Sequence, residues 1–227
     1  MCNLKKTAAF EYFVSKLVGL DLEKGQGNVE ELNNKLSEYP MTRYMKLLYF
    51  LCMMEAKQKR DRIAKLSTGA TSKELFKDLL LNTFDNFVAY LNGPVEVDIY
   101  ENRLYEGMFS LFTLEDGRLK LRGQDKDLAG RAKNILEETS PAVREATDDA
   151  LSELGKKGSK IVPNKSILEQ DTTSLVELSH KLNPNVWPAC FYYNKQGGSI
   201  SQLFQKDSTL LDAEVQEFEE KLTQIEK

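Results

Sequence analysis

The side chains able to do covalent or metal chemistry are few and scattered. His180, the sole histidine, follows Ser179, and Cys2, Cys52 and Cys190 lie far apart in the chain. With those ligands a zinc site would have to be built mainly from carboxylates, an unusual donor set. No GxSxG, phosphate-loop, GxGxxG or HExxH pattern occurs, so the commonest hydrolase, nucleotide-binding and zinc-protease chemistries lack their marks. Glu96 and Asp98 form an acid pair, but two residues apart on a helix they would point apart, as acids on solvated surfaces do. Near a helix end, His180 is suited to a hydrogen bond or to the negative end of the helix dipole; its other reading is partner recognition. The sequence predicts no catalytic, metal or cofactor site.

Composition narrows the class. The chain has 227 residues, 41% of them hydrophobic and 29% charged, and carries a net charge of -4, which argues against general affinity for nucleic acid. An odd number of dispersed cysteines does not suit a disulfide framework, so a reducing cytoplasm is expected. The longest apolar run, Leu47 to Met54, falls well short of the roughly 20 residues of a membrane span. In "MCNLKKTAAFEYFVSKL" Glu11 and Lys16 interrupt any signal-peptide core. Neither export nor membrane insertion is expected.

Several elements must position whatever site exists. Phe10, Phe13, Val14, Leu17 and Val18 recur every three or four residues, which predicts a helix over 7–20. Val29, Leu32 and Leu36 mark a short second helix before Tyr39 and Pro40. Thr42 is placed to cap a third, in which nearly every residue from Tyr44 to Met54 is apolar and Lys46 is the exception. Such a helix belongs at the centre of a bundle. Its basic continuation, "EAKQKRDR", reads as a solvated face rather than a nucleic-acid contact. A further helix is predicted after Thr71 or Ser72, with Leu75, Phe76, Leu79 and Leu80 on one face. Phe84, Phe87 and Tyr90 are expected to fill the core.

The clearest β signal is a hairpin over 108–122, turning at Asp116 and Gly117. Helices follow over 128–139 and 140–154, the latter with Ser140 as cap and Pro141 at its first position. "GKKGSKIVPNKS" suits either a loop or a domain boundary. Asp171 can cap a helix carrying Leu175, Leu178 and Leu182. The chain closes with an acidic amphipathic helix marked by Leu211, Val215, Phe218, Leu222 and Ile225, which could dock on its own domain, on a second copy in a homo-oligomer, or on another protein. The fold expected is mainly α: a compact helical bundle around a buried central helix, with one small β-hairpin.

"LNGPVEVDIYE", residues 91–101, is ambiguous. Val95, Val97 and Ile99 alternate with polar residues as in a strand, while Gly93 and Pro94 followed by acids resemble a helix start.

Three blocks resemble a known family. "MKLLYFLCMM" at 45–54 resembles the KLxKLLYF helix of the Panacea domain, the SocA-like antitoxin family of bacteria and their phages. "FDNFVAYLNGPVEVDIYE" at 84–101 is similar to that family's aromatic stretch followed by Tyr-Gly-Pro-Val and an acidic helix. "LVELSHKLNPNVW" at 175–187 is similar to its Leu-Ser-His segment with a tryptophan beyond. The chain departs from the pattern at Asn92, where the family more often has an aromatic residue, and in the helix preceding the domain. The resemblance implies a Panacea-like domain over 39–190, an N-terminal helical extension over 1–38, and a C-terminal segment over 191–227. It also tips residues 94–100 to helix, with Pro94 in the first turn, Val95, Ile99 and Tyr100 facing the core, and Val97 turned outward.

What the resemblance implies for function is an antitoxin that neutralises a cognate protein toxin by direct contact. Delivery of the toxin to a Clp-type protease and DNA-binding autoregulation are the alternatives, the second disfavoured by net acidity. Candidate partner-binding residues are Tyr90, Glu96, Val97, Asp98, Tyr100, His180 and Trp187, with the two terminal helices as further candidate surfaces.

Overall fold

Asn3 accepts a hydrogen bond from the Lys5 N–H at the start of helix α1 (Leu4–Val18), and Gly19 ends it in the left-handed conformation. The structure is a computed structural model that describes residues 3–25, 27–65, 79–90, 92–122, 127–156, 165–181 and 186–223. At positions 63–65, 180–181, 186–188, 191, 219 and 221–223 only the backbone is described. Helix α2 (Val29–Glu38) is capped by Asn28. Helix α3 (Met41–Lys65) begins directly after Pro40, so Thr42 lies inside its first turn and is not its cap. From Tyr44 to Ala56 every residue of α3 is buried, which is the central helix its all-round apolar pattern predicts, and beyond Lys57 it emerges toward solvent.

Helix α4 (Leu79–Thr83) is followed by strands β1 (Phe87–Tyr90) and β2 (Gly93–Glu96), which pair antiparallel with Phe87 opposite Glu96 and Tyr90 opposite Gly93. This second hairpin is the main addition to the expected fold. Helix α5 (Val97–Asn102) begins where the Glu96 side chain accepts the Ile99 N–H. The ambiguous stretch is therefore strand and then helix, and Pro94 is a strand residue opposite Ala89 rather than the first turn of a helix. Its missing N–H does no harm in a two-stranded ribbon, where the outer edge of the ladder has no partner to satisfy. Val95 and Ile99 are buried as expected, while Val97 and Tyr100 are half-buried. Phe84 and Phe87 enter the core, but Tyr90, at the end of β1, is 39% exposed.

The expected hairpin is formed by β3 (Phe112–Glu115) and β4 (Arg118–Leu121), with Asp116 and Gly117 both at positive φ in the turn. Helices α6 (Leu128–Glu138) and α7 (Pro141–Leu154) follow, and Ser140 accepts the Val143 N–H as the predicted cap. After a short 3-10 turn, Ile167–Glu169, Asp171 caps α8 (Thr172–Lys181) through the Ser174 N–H at 2.8 Å. Helices α9 (Val186–Lys195) and α10 (Ile200–Lys206), which periodicity did not single out, lead to α11 (Ser208–Thr223). The Thr71 or Ser72 cap, Leu75 and Phe76 lie outside the described residues, as do Leu182, Ile225 and most of the linker-like stretch.

One hydrophobic cluster takes in side chains from Ala8 in α1 to Phe218 in α11. Of the three docking choices open to the last helix, it packs on its own chain. Leu211, Val215 and Phe218 are buried, the Phe218 ring stacks on Phe50 with centroids 5.9 Å apart, and the Tyr49 hydroxyl donates to Glu214 at 2.8 Å. Among the described residues no helix is long and apolar enough to cross a membrane.

Candidate functional site

Strand β2 packs against α3 and α8, and β1 against α9 and α10; this junction holds two buried lysines in opposite circumstances. Lys6, on α1, reaches three carboxylates: Asp85 at 2.6 Å, Glu96 at 2.8 Å and Asp98 at 2.5 Å. Glu96 is fully buried, and its second oxygen holds the Ile99 N–H; Asp98 also accepts from the Asn86 amide at 2.9 Å. Burial pulls the Lys6 ammonium down, but the charge of Glu96 and the hydrogen bonds to Asp85 and Asp98 outweigh it, so the group is held above its usual range. For Asp98 burial works against the charge, yet Lys6 and Asn86 hold the carboxyl below its ordinary value.

The carboxylates of Asp85, Glu96 and Asp98 lie within 4.8 Å of one another, an all-oxygen set of the kind that holds hard divalent cations. Here the Lys6 ammonium stands among them and supplies the positive charge. The cluster also corrects the reading of Glu96 and Asp98 as acids pointing apart. Glu96 is the residue before α5 and has extended backbone, so helical geometry does not separate it from Asp98.

Lys46, on α3, is fully buried too, but its Nζ donates to the Pro94 carbonyl oxygen at 2.7 Å and makes no ion pair among the described residues. Burial without a countercharge pushes the ammonium down to about 7. Gly93 is what lets the hairpin come this close. Its φ is 89°, and a Cβ there would overlap the Ser179 Oγ of α8 and lie 3.1 Å from the Lys46 Nζ. A third buried ionisable group, Glu11, ties α1 to the strand-leading loop by accepting the Leu111 N–H at 2.6 Å and the Ser110 hydroxyl at 3.1 Å. Burial pushes its carboxyl up to about 7 against those hydrogen bonds.

Above Lys46 a crevice of about 250 Å³ opens, lined by Thr42, Lys46, Tyr90, Asn92, Val95 and Tyr100. At its rim the Tyr90 hydroxyl donates to Glu101 at 3.0 Å, and the Arg103 guanidinium lies 3.7 Å above the Tyr100 ring. Leu104 and Tyr105 project into solvent just beyond.

The candidate residues thus divide. Tyr90 and Tyr100 share the crevice. Asp98 reaches the surface beside Asp85, and Val97 is half-buried behind them, its N–H donating to the Asn86 carbonyl oxygen. Glu96 is enclosed and presents no atom to a partner. The side chains of His180 and Trp187 lie outside the described part of the structure. Sequence reasoning missed Lys6, Asp85 and the importance of Lys46. Only Lys46 carried a signal, as the single charge within an apolar helix.

Fold and site together define a mainly α-helical protein whose central helix carries, beneath a small hairpin, a buried lysine with no countercharge among the described residues. Comparisons with models of known protein families, with curated proteins and with solved structures each return no match.

Proposed function

We propose that this chain is an antitoxin of the Panacea type, acting in the cytoplasm by binding a cognate protein toxin rather than by catalysis. The observation that carries the reading is where the three blocks of the resemblance meet. Lys46 comes from the first block, Gly93 and Pro94 from the second and Ser179 from the third, and they touch at one point although far apart in sequence. Scattered chance likenesses have no reason to converge on one junction. The exposed Tyr90, Leu104 and Tyr105 beside it supply the aromatic and apolar side chains that anchor protein interfaces.

The test is co-expression with small toxic open reading frames adjacent to the gene. The reading expects restored growth and co-purification of the chain with one such toxin. Absence of rescue by every adjacent frame refutes it. Repeating the rescue in cells lacking Clp-type proteases separates sequestration, which persists there, from delivery, which does not.

A further inference from the structure

The molecule treats its two most buried lysines differently. Lys6 has three carboxylates within 2.8 Å, whereas Lys46, among the described residues, has a single carbonyl oxygen and no anion. Leaving a buried ammonium without a countercharge is costly, and its one recorded partner is the neutral Pro94 carbonyl. Lys46, the lysine without a carboxylate among the described residues, lines an open crevice.

The dimensions and walls of that crevice restrict its occupant. Its volume of about 250 Å³ lies below the roughly 300–1,000 Å³ of pockets that take drug-sized ligands and leaves room for an inserted side chain. Val95 and the rings of Tyr90 and Tyr100 offer walls for an aliphatic stem, and Thr42 and Asn92 offer polar edges. At the rim Glu101 is engaged by the Tyr90 hydroxyl, while Arg103 adds positive charge beside Tyr100.

We propose that this crevice is the anchor pocket for one glutamate or aspartate side chain of the partner protein, whose carboxylate pairs with Lys46. This rests on the antitoxin reading and names the chemistry the toxin must present. Lys46 is closed to bulk water in the free chain, so pairing requires its terminal torsion to turn from the Pro94 oxygen toward the crevice. Burial on both sides makes such a pair specific, because any partner lacking the carboxylate leaves the ammonium unpaired.

The experiment titrates the full chain with N-acetylglutamate while following the Lys46 ε-methylene signal by NMR, with N-acetylglutamine and inorganic phosphate as controls. A saturable shift with N-acetylglutamate, at least tenfold weaker with either control, is expected. Asn92→Trp, which fills the mouth from an exposed position, should abolish it. Lys46→Met should fold and should lower affinity for the cognate toxin at least tenfold. No shift, an equal shift with N-acetylglutamine, tighter phosphate binding, or toxin neutralisation by Lys46→Met at the parent level overturns the proposal. A parent chain that neutralises no toxin counts against the antitoxin reading instead, and the titration still decides the pocket.

Discussion

Replacing Lys6 by methionine should be among the most damaging single changes to this fold, because of what it leaves behind. The side chain of Lys6 is 5% exposed and that of Glu96 is not exposed at all, so the variant strands a buried carboxylate that, among the described residues, keeps only the Ile99 N–H. Breaking a buried pair by removing one partner costs about 3–5 kcal/mol. Asp85 and Asp98 add little, since their side chains are 56% and 36% exposed and exposed pairs contribute about 0–1 kcal/mol each. For a chain of this size about 2–4 °C of melting temperature accompanies each kcal/mol, so Lys6→Met should melt about 6–20 °C lower. Urea unfolding at pH 7 measures the free energy directly. Removing both charges, in Lys6→Met with Glu96→Gln, should recover at least about 1 kcal/mol of the single-variant loss, whereas Asp85→Asn should stay within about 1 kcal/mol of the parent. A Lys6→Met chain as stable as the parent, or no recovery in the double variant, would refute the assignment of Glu96 as the buried charge that Lys6 answers.

Gly93→Ala should cost about 1–3 kcal/mol, from strain at a φ of 89° and overlap with the Ser179 hydroxyl; adding Ser179→Ala should return part of the loss in the same urea assay. Glu11 has its carboxyl raised to about 7, so the folded state binds more protons than the unfolded state between the ordinary carboxylate value and 7. Stability is then lost as pH rises through that window, and Glu11→Gln, which keeps an oxygen for the Leu111 N–H, should gain on the parent by about 1–3 kcal/mol between pH 5 and 8. A constant difference between the two proteins across that range would contradict the burial argument. Phe218→Ala should cost about 3–5 kcal/mol, because its ring is buried against Phe50, and hydrogen exchange should show α11 losing protection first. For the same reason, deleting 208–227 should lower stability, and loss of toxin neutralisation in that truncation would report unfolding as well as any lost contact.

Local features of the sequence carried much of the fold. The three-and-four spacing of Phe10, Phe13, Val14 and Leu17, the caps at Ser140 and Asp171, and the turn at Asp116 and Gly117 each act within a few residues, and each appears where it was expected. The all-round apolar run from Tyr44 to Met54 likewise marked the buried helix. What local pattern left undetermined was pairing over distance. Whether Val95 sits in a strand or a helix depends on β1 being free to bond with it, and the answer, strand to Glu96 and helix from Val97, follows from that partner together with the Glu96 cap.

The candidate site belongs almost wholly to the second category. Lys6 and Glu96, 90 residues apart in the chain, are brought together by the tertiary fold, and no spacing rule links them. Lys46 was visible as an oddity in an apolar run, but sequence could not tell whether it reached water, met a carboxylate or stayed unpaired. That was decided by Gly93, whose missing side chain allows α8 and the hairpin to close over it. Because periodicity and capping are short-range effects, sequence alone marked most of the helices and which is central, though not α9, α10 or the strand at 93–96. Tertiary structure decided which buried charges are answered, because a countercharge acts through space and can come from anywhere in the chain.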